Sequence, residues 1–187
     1  MKTIILIRHG MTEGNRERRF IGCRTDQPLC QEGADALSSM KYPEADILFC
    51  SPMKRCLQTA GLIYPGMKPV VVNGLRECDF GDFEGKNNDE LTGDPLYQQW
   101  IDSGATIPFP GGESPEAFKD RCCAAFVECT GSYGFTSAAL VVHGGTIMAI
   151  MERFTLPRRN YYEYAVGNGH GYVASLHENR LISFKEI

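Results

Sequence analysis

The sequence lacks any long apolar run, and it lacks an excess of positive charge. No stretch of the 187 residues approaches the length of a membrane-spanning helix. The apolar run before Arg8 is also far shorter than the core of a secretory signal peptide. We therefore expect a cytoplasmic protein with no membrane partner. The formal net charge of −4 gives no support to a nucleic-acid partner, because such proteins usually carry a basic surface.

The cysteines lack the spacing of a metal site. None of the 8 cysteines forms a C-x-x-C pair or a finger-like pattern, so the sequence predicts no zinc site. The segment "HGMTE" likewise lacks the second histidine of an H-E-x-x-H zinc motif. Without an export signal, we expect the cysteines to be reduced thiols, most of them small residues of the core.

What the sequence does contain is an alternation of short apolar runs and helical patterns. Four continuous apolar runs are typical of strands that are covered on both faces: 3–7, 46–50, 69–73 and 138–143. Helical patterns separate or follow them, at 31–41, 52–63, 114–129 and 145–154. Two closing strands, 171–178 and 180–186, are near enough for a hairpin. The alternation predicts a single α/β domain over residues 1–187 with a mostly parallel sheet.

Two segments allow sharper predictions. For the helix at 52–63, Ser51 is a typical N-cap and Pro52 suits the first helical position. Its predicted buried stripe is Met53, Cys56, Leu57 and Ala60. Residues 74–113 break the alternation, are rich in Gly, Asp and aromatics, and are long enough to form a lid-like insert.

Polar residues follow the ends of all four predicted parallel strands. They are Arg8-His9-Gly10, the segment Ser51 to Arg55, Glu77, and His143-Gly144-Gly145. Each has an ordinary structural explanation by itself. Because ligands of parallel α/β sheets bind at the carboxyl ends of the strands, we expect these four groups to converge on one site.

The combination suits phosphoryl transfer. A phosphoryl group in flight spreads its charge over three oxygens, and the planar forks of Arg8 and Arg55 can each pair two of them. One neutral histidine can attack phosphorus, and a second, protonated one can hold the transferring group. Gly144 can offer a main-chain amide at the start of a helix, and Glu77 can protonate the leaving alkoxide.

Five motifs resemble the histidine phosphatase (phosphoglycerate mutase-like) superfamily in order and spacing. They are "LIRHGMTEGN", "SPMKRCLQTA", "LRECDFGDFEG", "PGGES" and "LVVHGGTI". The resemblance implies a three-layer α/β/α sandwich and a phosphohistidine intermediate. It makes His9 the nucleophile and Glu77 the proton donor and later base, with Arg8, Arg55 and His143 binding the phosphoryl group.

The same resemblance implies further phosphate or substrate contacts from Thr12, Asn15, Gly22 and Gly144. It implies no metal and no organic cofactor. The substrate is expected to be a small-molecule phosphate monoester.

Within this superfamily the sequence favours a hydrolase. A mutase must hold a second anionic group, and the segment 85–113 carries no Lys or Arg after Lys86. The segment "LRECDFGDFEGK" resembles phosphatases, and among them α-ribazole-5′-phosphate phosphatases of cobalamin assembly, although broad small-molecule phosphatases share it. The alternatives are a cofactor-dependent phosphoglycerate mutase and a non-catalytic phospho-ligand-binding regulator. The regulator is disfavoured because both His9 and Glu77 are present.

The insert also contains a group of aromatic residues with two interpretations. They are Phe80, Phe83, Tyr97, Trp100 and Phe109. The group could hold a flat leaving group, which would favour an aryl or nucleoside-like substrate. Alternatively, these residues pack the insert onto the domain, and the sequence slightly favours this second interpretation.

Overall fold

A six-stranded sheet forms the centre of the computed structural model, which describes residues 1–187. The strands are β1 (Lys2–Arg8), β2 (Ile47–Cys50), β3 (Val70–Val71), β4 (Ser137–Val142), β5 (Gly171–His177) and β6 (Arg180–Glu186), in the order β3-β2-β4-β1-β5-β6. The first four are parallel to one another, and β5 and β6 form an antiparallel hairpin against β1. The predicted mostly parallel sheet with a closing hairpin is therefore confirmed.

Seven helices accompany the sheet. They are α1 (Glu13–Arg16), α2 (Gln31–Ser39), α3 (Lys54–Ile63), α4 (Asn88–Leu91), α5 (Pro95–Asp102), α6 (Pro115–Ser132) and α7 (Gly144–Phe154). Single 3₁₀ turns occur at Asn73–Leu75, Gly81–Phe83 and Tyr161–Tyr164. None of the helices combines the length and the apolar composition that a membrane span requires.

Strand β1 shows why the sheet is covered on both faces. Ile4 and Leu6 point into the larger apolar cluster, which includes residues of α6 and α7. Ile5 and Ile7 point into a second cluster, which includes Cys56 of α3. Because successive side chains of a strand alternate between its faces, a continuous apolar run needs helices on both sides. The predicted three-layer α/β/α sandwich follows from this packing and is confirmed.

Some local predictions hold. Ser114 caps α6, since its hydroxyl accepts a hydrogen bond from the amide of Ala117 at 3.1 Å. The hairpin turn consists of Glu178 and Asn179, which both have positive φ angles. Two such residues give the turn geometry that matches the twist of the paired strands.

Other local predictions are wrong. Helix α3 begins at Lys54, so Met53 and not Ser51 is the N-cap residue, and Pro52 lies before the helix. The Ser51 hydroxyl lies 2.8 Å from Nε2 of His143 and also accepts a hydrogen bond from the amide of Met53 at 3.4 Å. Leu57 lies on the solvent side and is 36% exposed, because the buried face of α3 includes Arg55 and Thr59. Strand β3 is only the pair Val70–Val71 at the sheet edge rather than the predicted 69–73.

Two helical glycines provide a test of the packing. A Cβ atom on Gly33 of α2 would lie 2.2 Å from the carbonyl oxygen of Met11, whereas one on Gly61 of α3 would meet nothing within 4 Å. We expect Gly61→Ala to raise the free energy of unfolding by about 0.5–1 kcal/mol, because alanine favours the helix. Gly33→Ala should lower it by about 1–3 kcal/mol through overpacking. Urea denaturation measures both, and equal shifts in the two variants would contradict the close approach of α2 to Met11.

Candidate functional site

The ends of β1, β2 and β4 bring the predicted site residues together at one edge of the sheet. His9 directly follows β1, and its amide donates to the carbonyl of Val142 on β4 at 2.9 Å. His143 follows β4, and its ring centroid lies 5.2 Å from that of His9. Arg55 enters from the first turn of α3, which follows β2. This convergence is the one that the parallel strand arrangement predicts.

His9 is held with one ring nitrogen available. Its Nδ1 atom lies 2.7 Å from the carbonyl oxygen of Gly10. Because a carbonyl oxygen can only accept, Nδ1 carries the proton and the neutral ring keeps a lone pair on Nε2. Burial lowers the pKa of His9 well below its ordinary value, and the charge of Arg55 lowers it further. The ring is therefore neutral and suited to act as a nucleophile.

The loop after His9 is fixed to α3 through Thr59. The Thr59 hydroxyl accepts from the amide of Gly10 at 2.9 Å and donates to the carbonyl of Arg55 at 2.7 Å. All of these groups are buried. The loop that follows His9 and the main chain of Arg55 are therefore joined by hydrogen bonds to one hydroxyl, that of Thr59.

Two arginines supply the positive charge of the site. Arg55 is fully buried and donates from its terminal nitrogens to the carbonyls of Thr25 (3.0 Å) and Gly22 (3.1 Å). Arg8 donates to the carbonyl of Val166 at 2.7 Å, and burial lowers its pKa. The Nε atoms of both arginines are buried without a hydrogen-bond partner. Buried N–H donors without partners on two guanidinium groups are suited to bind an anion.

Burial affects the charge of His143. It is fully buried, and its Nε2 atom lies 2.8 Å from the hydroxyl of Ser51. Burial lowers its pKa well below the ordinary value, and the positive charge of Arg55 adds to the effect. In the protein alone, burial therefore favours the neutral ring, while a protonated His143 on the transferring group stays a prediction. Arg8 and Arg55 supply positive charge beside it.

Glu77 is placed as a buried acid. It is 8% exposed, and its Oε1 atom accepts from the amide of Cys78 at 2.9 Å. Burial raises the pKa of Glu77, and this outweighs the opposing effects of hydrogen bonds and of the nearby Arg55 and Arg8. A carboxyl group with a raised pKa retains its proton to higher pH, which suits a general acid.

A half-buried ion pair holds the loop that carries Glu77. Arg121 of α6 binds both carboxylate oxygens of Glu113, at 3.0 and 2.7 Å. The same guanidinium donates to the carbonyls of Gly74 and Arg76, both at 2.9 Å, and to that of Glu77 at 3.3 Å. Arg121 therefore fixes the main chain at the proposed acid itself and just before it.

The four predicted accessory residues differ in what they contact. Thr12 is fully buried and caps α1, where its hydroxyl accepts from the amide of Asn15 at 3.3 Å. The side-chain oxygen of Asn15 accepts from the amide of Thr12 and from Asn168. Gly144 begins α7, and a Cβ there would lie 3.4 Å from Nε of Arg8. The N-terminus of α7 is thus beside the arginine.

Gly22 supports Arg55 through its main chain. Its carbonyl accepts from Arg55, and its amide donates to Glu84 at 2.8 Å. A Cβ atom would lie 2.2 Å from the carbonyl oxygen of Cys78, so only glycine fits this close approach. These contacts are within the protein, and a substrate contact of Gly22 stays a prediction.

Sequence reasoning missed several supporting residues. Asn168 donates to the carbonyl of His9 at 3.0 Å and to Asn15 at 3.2 Å, and it joins the chain before β5 to the nucleophile loop. The only sequence signal is its place between two glycines. Arg121 has no local signal, because nothing in a helical segment shows which distant carbonyls an arginine binds.

Comparison with known proteins agrees with this geometry. The model of the histidine phosphatase superfamily (branch 1) matches residues 4–184. A 2,3-bisphosphoglycerate-dependent phosphoglycerate mutase from Rhizobium etli is 31% identical over 179 residues, which cover 83% of each chain. A Bacillus subtilis protein named as an uncharacterized phosphatase is 30% identical over 157 residues, 81% of this chain and 76% of its own.

A solved structure shares the fold. The α-ribazole phosphatase from Shigella flexneri superposes with a TM-score of 0.83 over 95% of this chain and 92% of that chain, at 21% sequence identity. Because the identity is low, this likeness concerns the fold.

The raised pKa of Glu77 generates a prediction on pH dependence. An acid must be protonated to act, so kcat/KM for an alkyl phosphate should fall as pH rises through the Glu77 pKa, which lies above 4.5. Glu77→Gln should lower kcat/KM for ethyl phosphate by about 100-fold or more and remove this limb. For p-nitrophenyl phosphate, whose leaving group barely needs a proton, the loss should be below about tenfold.

The matched control is Glu128→Gln, which removes an exposed carboxyl group of α6. It should keep the alkaline limb. The substrate titrates in the same way in assays of the wild type, Glu77→Gln and the control variant. The ratio of each variant's pH profile of kcat/KM to that of the wild type therefore reports on the enzyme group that was changed. An equal loss on both substrates would argue against Glu77 as the acid.

The Arg121–Glu113 pair generates a second prediction. Arg121→Lys removes the bidentate contact with Glu113, so the Glu77 loop should lose its fixed position. We expect kcat for ethyl phosphate to fall by about 10- to 100-fold, as for other misplaced catalytic groups, with a smaller loss on p-nitrophenyl phosphate. The control is Arg153→Lys, which alters only an exposed pair with Asp120. Equal losses on both substrates would show a merely structural role.

Proposed function

The chain belongs to the histidine phosphatase superfamily, and we propose that it hydrolyses small-molecule phosphate monoesters through a phosphohistidine on His9. The observation that supports this most directly is the pair of buried, unpartnered Nε–H donors of Arg8 and Arg55 beside a neutral histidine. A phosphate dianion offers the acceptors and the negative charge that these donors require.

In the first step, Nε2 of His9 attacks phosphorus and the bond to the ester oxygen breaks. Glu77 gives its proton to that oxygen, and the alcohol leaves. The charge on the three transferring oxygens is met by the two guanidinium groups and by the main-chain amide of Gly144 at the start of α7. His143, hydrogen-bonded to Ser51, donates to the same group.

In the second step, water attacks the phosphohistidine. The Glu77 carboxylate accepts a proton from the water, the bond between phosphorus and nitrogen breaks, and inorganic phosphate leaves. His9 is again neutral and Glu77 again protonated. The two steps therefore use one carboxyl group first as acid and then as base.

We propose that the reaction needs no metal ion. No three His, Cys, Asp or Glu side chains are grouped so that they could hold one. The charge neutralisation that a metal would supply comes from Arg8 and Arg55.

The substrate candidates come from the relatives. α-Ribazole-5′-phosphate is proposed because a structural neighbour is an α-ribazole phosphatase and the insert is rich in aromatic residues. Phosphoglycerate mutase activity is the second candidate, since a relative at 31% identity is a mutase. A non-catalytic binding role is disfavoured, because His9 is positioned with a free lone pair and Glu77 with a raised pKa.

The proposal predicts that His9→Ala abolishes hydrolysis of p-nitrophenyl phosphate, because no phosphohistidine can form. Rapid quenching of the wild-type protein at neutral or alkaline pH should trap an acid-labile protein phosphate that the variant lacks. EDTA should leave activity unchanged. Full activity of His9→Ala would refute the nucleophile, and loss in EDTA with recovery on adding metal would refute the metal-free reaction. Rapid equilibration of 2- and 3-phosphoglycerate with little phosphate release would favour the mutase.

A further inference from the structure

A pocket of about 380 Å³ adjoins the proposed acid. Much of its wall is aromatic, formed by Phe20, Phe80, Trp100, Phe109, Phe118, Tyr161 and Tyr162. Glu77 and Gly145 also line it. The pocket therefore adjoins the proposed phosphoryl-transfer site at its acid, Glu77.

The position of Glu77 determines what can enter this pocket. The acid must approach the oxygen that leaves, while His9 attacks phosphorus from the opposite side, because the attacking and leaving atoms are roughly in line. The body of the alcohol therefore extends from the Glu77 side of the phosphoryl group. That side is the pocket, so its lining faces the leaving group.

The aromatic rings of the wall pack against one another. Phe80 packs edge-on against Phe20 and Phe109, with ring centroids 5.4 and 5.0 Å apart, and Trp100 lies 5.1 Å from Phe109. Phe83 is buried behind these rings and contacts Tyr97 and Trp100. The insert aromatics therefore fall into two groups, and contact with a leaving group stays a prediction. Phe80, Trp100 and Phe109 face the pocket, whereas Phe83 and Tyr97 pack the insert.

The pocket offers no free positive charge. Lys119 is the one cation in its lining, and its ammonium group is 2.8 Å from Glu152 and 4.4 Å from the ring centroid of Tyr161. The other charged residues of the lining, Glu77 and Glu116, are acidic. A carboxylate or second phosphate on the leaving group would therefore enter without a partner, and burying it would be costly.

We propose that this pocket is the leaving-group subsite, and that the substrates are phosphate monoesters of uncharged aromatic or bulky apolar alcohols. The inference rests on the proposed phosphatase function. It sets the protein apart from enzymes that act on phosphoserine or phosphoglycerate, whose leaving groups carry a carboxylate. Removing a phenyl-sized group from water is worth about a 10- to 100-fold gain in affinity.

The kinetic test compares propyl phosphate, 3-phenylpropyl phosphate and phosphoserine. The first two alcohols have nearly the same acidity, so a difference between them reports on the pocket and not on the chemistry of departure. We expect kcat/KM to be about 10- to 100-fold higher for the phenylpropyl ester than for the propyl ester. Phosphoserine should be the poorest substrate. Equal values for the first two, or a preference for phosphoserine, would overturn the subsite.

A binding test separates this inference from the proposed function. Trp100 is the only tryptophan of the chain and lines the pocket, so its fluorescence reports on occupancy. The phosphonates 3-phenylpropylphosphonate and propylphosphonate cannot be hydrolysed. We expect the first to bind about 10- to 100-fold more tightly and to change the Trp100 emission. If no ester releases phosphate, the proposed function fails. The binding comparison still decides on the subsite: tighter binding of 3-phenylpropylphosphonate supports it, and equal binding of the two phosphonates overturns it.

A charge placed in the pocket gives a third test. Met148 is half-buried and lines the pocket, and Met67 is half-buried against the cluster around α3. Met148→Lys should remove most of the phenylpropyl preference and raise kcat/KM for phosphoserine, whereas Met67→Lys should change neither ratio. Thermal melting of both variants measures their folding. An unchanged preference in folded Met148→Lys would contradict the subsite, and if that variant does not fold, the two wild-type tests decide.

Discussion

The site depends on a guanidinium group that is buried without a carboxylate partner. Arg55 is fully buried, forms no ion pair, and is supported by two main-chain carbonyls from the loop around Gly22. An unpaired buried charge is costly and persists only where the fold compensates it. Much of the surrounding chain does so: Gly22 permits the close approach, and Thr59 binds the main chain of Arg55 and the loop after His9. The proposed binding of a phosphate would complete this compensation.

The burial of the site shifts the pKa values of His9 and Glu77 in opposite directions. Desolvation lowers the pKa of His9 and raises that of Glu77, because burial disfavours the charged form of each group. In the proposed reaction a neutral imidazole acts as the nucleophile and a protonated carboxyl group as the acid. The lower His9 pKa extends to lower pH the range in which His9 is neutral. The higher Glu77 pKa extends to higher pH the range in which Glu77 is protonated. One physical cause, exclusion of water from a cationic centre, prepares both reactants.

The sequence predicts the sheet and the convergence of His9, Arg55 and His143, because apolar runs and strand ends are local signals. It fails where a contact depends on residues far away in the chain. The hydroxyl of Ser51 contacts His143, 92 positions away, as well as the amide of the neighbouring Met53. Arg121 and Asn168 are similar cases, since their roles consist of contacts to distant main-chain carbonyls. The charge of His143 also depends on burial, which no motif records.

Gly145 lies between the proposed acid and the wall of the pocket. A Cβ atom there would lie 2.7 Å from a carboxyl oxygen of Glu77 and 3.0 Å from the ring of Phe118, so only glycine lets the acid and the pocket wall approach each other. In the proposed subsite, an apolar leaving group would exclude further water from Glu77 and raise the pKa of Glu77 again. A charged leaving group would have the reverse effect. The proposed subsite would therefore favour both its substrate and the protonated state of the proposed acid.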